Sequence, residues 1–318
     1  MERYAVKLSP YVSETIWGGR RLIEEYNVVT EKSNAAEGWM LSCLENGPSV
    51  AANGAYEGET LRDILKKEPD WSGKNCSRFG DFPILIKFID AMDDLSVQVH
   101  PTDEYCKKTG RGRSKTECWY IIDCAEGASL LLGFKDEITP DEFKAAIENG
   151  TLTDKVKRVS VKPGDFFFIE AGTLHAICKG VLLAEVQESS DTTYRIFDYN
   201  RKGKDGNPRE LHVADALEVT KLTEYSQPDF SPFKNEDDKK ELLAACPLFK
   251  VWHLKTQGEF NDTASGDSFV SLLVMSGNGA LKACGSETEL KKGDSVFIPA
   301  GSGSYTISGE LDIIETRI

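Results

Sequence analysis

Two of the four histidines in this 318-residue chain stand where an imidazole can serve as a metal ligand. His100 lies in Leu95-Ser-Val-Gln-Val-His-Pro101, and His175 ends Gly164-Asp-Phe-Phe-Phe-Ile-Glu-Ala-Gly-Thr-Leu-His175. In the first stretch Leu95, Val97 and Val99 alternate with Ser96, Gln98 and His100. Successive side chains of a strand point to opposite faces, so Ser96, Gln98 and His100 share one face. Alternate residues are roughly 6.5 Å apart, close enough for two side chains to reach one ion. A Ser/Gln/His stripe opposite a Leu/Val/Val stripe reads as the lining of a cavity.

The elements that must position these residues are mostly strands. Short apolar runs at 83–89, 118–122, 129–133, 166–169 and 181–186 are separated by Gly, Pro, Asp and Asn turns. Helical pattern is sparse. Leu61-Arg-Asp-Ile-Leu-Lys-Lys67 is one candidate, and 139–148 is another, with Thr139 as N-cap and Pro140 in the first turn. Closely spaced strands without alternating helices predict a barrel or sandwich. A polar, Pro-containing stretch at about 226–240 reads as a linker. The expected domains are therefore 1–225, with a short helical insertion near 136–158, and a smaller 241–318.

Bulk properties narrow the partners. A formal charge of −14 argues against nucleic acid or an anionic membrane surface. The N-terminal residues lack a signal-peptide core, and no apolar run is long enough to span a bilayer. The eight cysteines are scattered singly, as reduced thiols in a cytoplasmic setting would be.

An internal repeat supports two related domains. Val161-Lys-Pro-Gly-Asp-Phe-Phe-Phe-Ile-Glu-Ala-Gly172 aligns with Leu290-Lys-Lys-Gly-Asp-Ser-Val-Phe-Ile-Pro-Ala-Gly301. A Gly-Asp turn, an apolar strand and an Ala-Gly step resemble the second half of a cupin motif. That resemblance predicts a mainly β chain of two cupin-like β-barrel (jelly-roll) domains. Eleven residues after Gly164 stands His175, whereas eleven after Gly293 stands Ser304. The first domain is thus expected to hold the metal, and the second to be a degenerate copy. The cupin first motif supplies His-x-His and then a Glu. Here the order is Gln98-x-His100 followed by Ser114-Lys-Thr-Glu-Cys-Trp-Tyr120, which makes Glu117 the third ligand. Two imidazoles, a carboxylate and an amide oxygen suit zinc with an open position, although iron oxygenases also use two His and a carboxylate.

A more specific resemblance joins these pieces. The ordered set of 95–101, Lys115-Thr-Glu117, Ala171-Gly-Thr-Leu-His175 and Glu185 with Arg195 resembles type I mannose-6-phosphate isomerase. Thr15-Ile-Trp-Gly-Gly19, Glu37-Gly-Trp39 and Pro83-Ile-Leu-Ile-Lys87 add to it, and the short spacing from Glu117 to His175 is similar to the compact bacterial form. The resemblance implies one zinc per chain on Gln98, His100, Glu117 and His175. It implies catalytic roles for Arg195, Lys115 and Glu185, and a substrate cleft lined by Ser96, Lys87, Lys115 and Arg195. His212 and His253 match no ligand position and read as structural, and Trp17 and Trp39 read as core.

The implied reaction interconverts mannose 6-phosphate and fructose 6-phosphate through a cis-enediol. Such chemistry needs an electrophile at the enediolate oxygen, a proton carrier, and cations for the phosphate. In an acidic chain Lys87, Lys115, Arg111 and Arg113 are the local positive charges available. Two alternatives stay open at this level. One is another metal-dependent cupin enzyme, acting on an unphosphorylated sugar or as an Fe(II) oxygenase; the other is a non-catalytic sugar-binding cupin. Self-association through the C-terminal domain is also left open.

Overall fold

A computed structural model describes residues 2–203, 206–234 and 240–318. The fold is mainly β, with 41% of residues in strands and 17% in helices. The chain forms two compact units. One comprises Met1–Ser13, Arg20–Phe88 and Asp229–Ile318; the other comprises Glu14–Gly19 and Ile89–Pro228. Residues 20–88 therefore group with the C-terminal segment, not with the stretch that carries the two histidines. Residues 235–239 of the expected linker lie outside the described residues.

Strand pairing explains the grouping in the first unit. Val6–Ser9 lies antiparallel to Ser295–Ile298, with Val6 opposite Phe297 and Lys7 opposite Val296. The sheet runs Glu241–Ala245, Lys250–Ala264, Gly303–Arg317, Val270–Ala283, Ser295–Ile298, Val6–Ser9 and Val50–Ala51, with Ser286–Lys291 beside Val270–Ala283. Val270, Leu272, Val274, Val296, Ile298 and Ile313 pack in one cluster. The apolar segment 268–275 is thus buried within its own unit.

The second unit holds a five-stranded sheet in the order Tyr194–Phe197, Val97–Val99, His175–Ile177, Ser129–Phe134, Val156–Ser160. Glu117–Cys124 pairs separately with Phe166–Ile169 and with Val181–Glu188. The barrels expected from the sequence do not appear as closed sheets: among the described residues every sheet is open. Local signals are followed closely. Pro140–Glu148 is helical and begins with a capping box, in which the Thr139 side chain accepts from Glu142 N and the Glu142 side chain accepts from Thr139 N. Leu61–Lys67 is helical, capped by Thr60. The rest of the insertion is a single short turn, Leu152–Lys155, and then strand.

Both copies of the Gly-Asp turn are built alike. Gly164 and Gly293 adopt φ of 90° and 91°, a left-handed conformation that glycine enters without strain. A Cβ on Gly293 would also lie 2.0 Å from the Tyr26 carbonyl oxygen. Among the described residues no helix is long and apolar enough to cross a membrane.

Candidate metal centre

The site is assembled from two groups of strands, all within the second unit. In the five-stranded sheet, Arg195, Gln98 and His175 stand directly opposite one another on three adjacent strands. Directly opposed residues share a face, so this row and His100 point the same way. In the other group, Glu117 is opposite Gln187, and Trp119 is opposite Glu185. Period two again puts Glu117 with Trp119, and Glu185 with Gln187.

His100, Glu117 and His175 converge, with ligand-capable atoms all within 4.8 Å of one another and all three side chains buried. Glu117 lies between the imidazoles: its Oε1 is 3.4 Å from His175 Nε2 and its Oε2 is 3.6 Å from His100 Nε2. A tetrahedral site with bonds near 2.0–2.1 Å spaces its ligand atoms by roughly 3.4 Å, so these separations fit a small divalent cation. The tautomers fit as well. His100 Nδ1 donates to the Thr192 carbonyl at 2.9 Å, and His175 Nδ1 donates to the Thr173 carbonyl at 2.8 Å. Each ring therefore turns a bare Nε2 lone pair toward Glu117, the arrangement typical of metal-binding histidine. Burial pushes the His175 imidazole down to about 4, and the Lys115 ammonium adds to that shift against the Thr173 carbonyl. The ring is neutral at neutral pH, as a ligand must be.

Gln98, the fourth expected ligand, borders the cluster with its amide nitrogen 3.3 Å from His175 Nε2. Its oxygen accepts from Ser96 Oγ at 3.4 Å. Lys115 is buried beside the cluster. Its Nζ is 2.6 Å from Glu117 Oε2 and 3.8 Å from Glu185 Oε1, and it donates to His100 Nε2 at 3.2 Å. Glu185 is held on its other oxygen by the Trp119 indole N–H at 2.8 Å. Arg195 reaches the same neighbourhood through Ser96, donating from Nε to Ser96 Oγ at 3.3 Å.

Other residues singled out by the sequence have partners of their own. Lys87 is buried in the first unit, 3.6 Å from Glu37 and 5.4 Å from the centre of the Trp39 ring. Arg111 is exposed and pairs with Asp215 at 2.5 Å. Trp17 and Trp39 are buried. His212 accepts from Arg195 N at 3.3 Å, and His253 Nε2 is 2.7 Å from Asp312. Sequence reasoning missed Trp119, although parity with Glu117 marks it. It also missed the Thr173 and Thr192 carbonyls, which no side-chain pattern could reveal.

Residues 5–126 match the catalytic domain of phosphomannose isomerase type I, and residues 243–318 match the cupin domain of mannose-6-phosphate isomerase. The Bacillus subtilis mannose-6-phosphate isomerase ManA is 37% identical over 316 residues, 97% of each chain. This chain belongs to the type I phosphomannose isomerase family. A second family relative, a mannose-6-phosphate isomerase from Streptococcus mutans, is 33% identical over 98% of this chain and 97% of its own. The crystal structure of the mannose 6-phosphate isomerase from Bacillus subtilis superposes with a TM-score of 0.89 at 34% identity, covering 99% of both chains. As a family member the chain is an isomerase, and the oxygenase and non-catalytic alternatives are not favoured. The catalytic-domain match takes in Ser96, Gln98, His100, Lys115 and Glu117 but stops before His175, Glu185 and Arg195. Those three join the site through the geometry above.

Proposed function

We propose that this chain interconverts mannose 6-phosphate and fructose 6-phosphate, with one zinc ion held by Gln98, His100, Glu117 and His175. The observation that carries the reading is the spacing of Glu117 against two imidazoles whose Nδ1 protons are committed to backbone carbonyls. Gln98 joins as a ligand if its amide turns by 180°, which puts oxygen toward the cluster and lets Ser96 Oγ accept instead of donate. Zinc would supply the Lewis acid that polarises the sugar oxygens during enolisation.

The side chains supply the rest. Lys115, between Glu117 and Glu185, holds a proton beside the cluster, within reach of a group that enters the same buried space. Glu185 is kept in place by the Trp119 N–H, so it orients Lys115 without swinging toward the imidazoles. Arg195, fixed against Ser96, offers a cation to the charge that develops on the enediolate or to the phosphate. Lys87 and Ser96 complete the proposed substrate contacts. We also propose the cytoplasm as the working compartment, and residues 241–318 as a metal-free cupin-like domain. A coupled assay with mannose 6-phosphate, run before and after chelation and after zinc is restored, tests the proposal. Activity that survives complete metal removal overturns it.

A further inference from the structure

Three guanidinium groups crowd the strand that carries Arg195, and one buried carboxylate holds two of them, Arg201 and Arg209. Arg195 Nη1 donates to the Glu210 carbonyl at 3.0 Å, in addition to the Ser96 contact. The backbone beside it is also tied, because His212 N donates to the Arg195 carbonyl at 2.7 Å. The residue just before Glu210 is Arg209, whose Nε donates to Asp198 Oδ2 at 2.7 Å while its Nη2 donates to Oδ1. Such a two-pronged fork fixes both distance and plane. Arg201 Nη2 donates to the same Asp198 Oδ1 at 2.7 Å, and its Nη1 is anchored on the Asp94 carbonyl. Asp198 is 5% exposed. Between Asp198 and Arg201, Tyr199 and Asn200 both take φ of 54°, a left-handed turn that non-glycine residues adopt only when the surroundings enforce it.

The arrangement bears directly on Arg195. Burial weakens the hold of Arg195 on its proton, Arg209 and Arg201 weaken it further, and Asp198 opposes them. Without the Asp198 charge, Arg209 and Arg201 would repel Arg195 and would lose the anchor that holds the 209–212 segment.

We propose that Asp198 is a positioning residue for Arg195. By clamping Arg209 it fixes the Glu210 carbonyl that orients the Arg195 guanidinium, and by neutralising Arg209 and Arg201 it keeps that guanidinium in place. The proposal rests on the reading of Arg195 as a cation that acts on the bound sugar phosphate.

A double-mutant cycle on the full, metal-loaded chain tests it, using Arg195→Ala, Asp198→Asn and the pair. Asp198→Asn should lower kcat by roughly 10–100-fold with little change in KM or metal content, as small misplacements of a working group do. In the Arg195→Ala background the same change should cost almost nothing more. Equal losses in both backgrounds, or a wild-type kcat for Asp198→Asn, overturn the proposal. Should Asp198→Asn fail to fold, Arg209→Lys keeps the charge and loses the fork; a wild-type kcat there overturns it equally. If Arg195→Ala alone leaves kcat intact, the reading of Arg195 fails, and the clamp is judged by the NMR signal of Arg195 Nε–H. That signal should shift or broaden in Asp198→Asn, and an unchanged signal sinks the clamp.

Discussion

Asp165 and Asp294 close the same turn in two different units. Each carboxylate accepts from a backbone N–H three residues earlier at 2.9 Å, and each turn leads into a four-residue strand, Phe166–Ile169 or Ser295–Ile298. The copies part at the end of that strand. His175 is buried and faces Glu117, whereas Ser304 is exposed and Tyr305, next to it, turns inward. Each unit also gathers a charged cluster around a buried glutamate. In the first, Asp262 and Glu315 meet Lys240 and Arg317, with Arg317 2.7 Å from both acids and the Tyr305 hydroxyl donating to Glu315 at 3.1 Å. In the second, Glu117 and Glu185 meet Lys115 and two neutral imidazoles. Acids and cations are equal in number in the first cluster, while acids outnumber cations in the second. A repeated backbone thus carries either a self-balanced charge cluster or one whose formal charge suits a divalent ion.

The largest effect expected from breaking this contrast is on metal content. His100→Ala combined with His175→Ala should take the protein from about one ion per chain to none, with activity at background. Stoichiometric metal in that variant, measured by elemental analysis, would move the site elsewhere. The matching change in the first unit is Glu315→Gln, which leaves the half-buried Lys240 and Arg317 against one acid. It should lower stability by about 3–5 kcal/mol in denaturant titration, with metal per folded chain unchanged. Loss of metal there would erase the distinction between the clusters.

Arg195→Ala should reduce kcat roughly 10²–10³-fold with a modest change in KM. A raised KM at unchanged kcat would assign Arg195 to holding the phosphate. A pH experiment comes next. The His175 ring titrates near 4 when folded and near 6.5 when free, so its neutral form is favoured by folding. Its contribution to stability is complete above pH 6.5 and is lost as pH falls toward 4, by about 3 kcal/mol in chelated protein. His175→Asn should flatten that slope; an unaltered slope would place the acid sensitivity elsewhere. The smallest effect is expected from Ser304→His, which restores the motif on paper. Because position 304 is exposed, the variant should bind no metal in a zinc titration, and a tight new site would show that sequence alone separates the copies.

Much of the site could be read from periodicity. The alternation at 95–100 put Gln98 and His100 on one face, and the spacing from Gly164 marked His175. Thr139 and Pro140 located a helix start to the residue, because capping chemistry is local. What escaped was non-local. Nothing in residues 6–9 announces a partner at 295–298, so the grouping of 20–88 with the C-terminal segment was invisible. Lys87 interrupts an apolar strand, and its partners Glu37 and Trp39 stand some fifty positions earlier in sequence, beyond the reach of any local pattern. Carbonyl partners such as Thr192 escaped because every residue type offers the same backbone oxygen.

The pairing of chain beginning with chain end has a consequence for biosynthesis. Arg3 Nε donates to the Ala300 carbonyl across 297 positions of sequence, so residues 3–9 must wait for residues 295–300 to be made before these strands can pair. Residues 89–228 have no such wait, since nearly all of the second unit is contiguous. Growing from the N-terminus, the chain can therefore shape the unit with the candidate metal ligands while the first unit still lacks its C-terminal strands. During that interval Val6–Ser9 has Val50–Ala51 on one side only, and a nascent chain stalled before residue 295 exposes its other edge to whatever strand it meets.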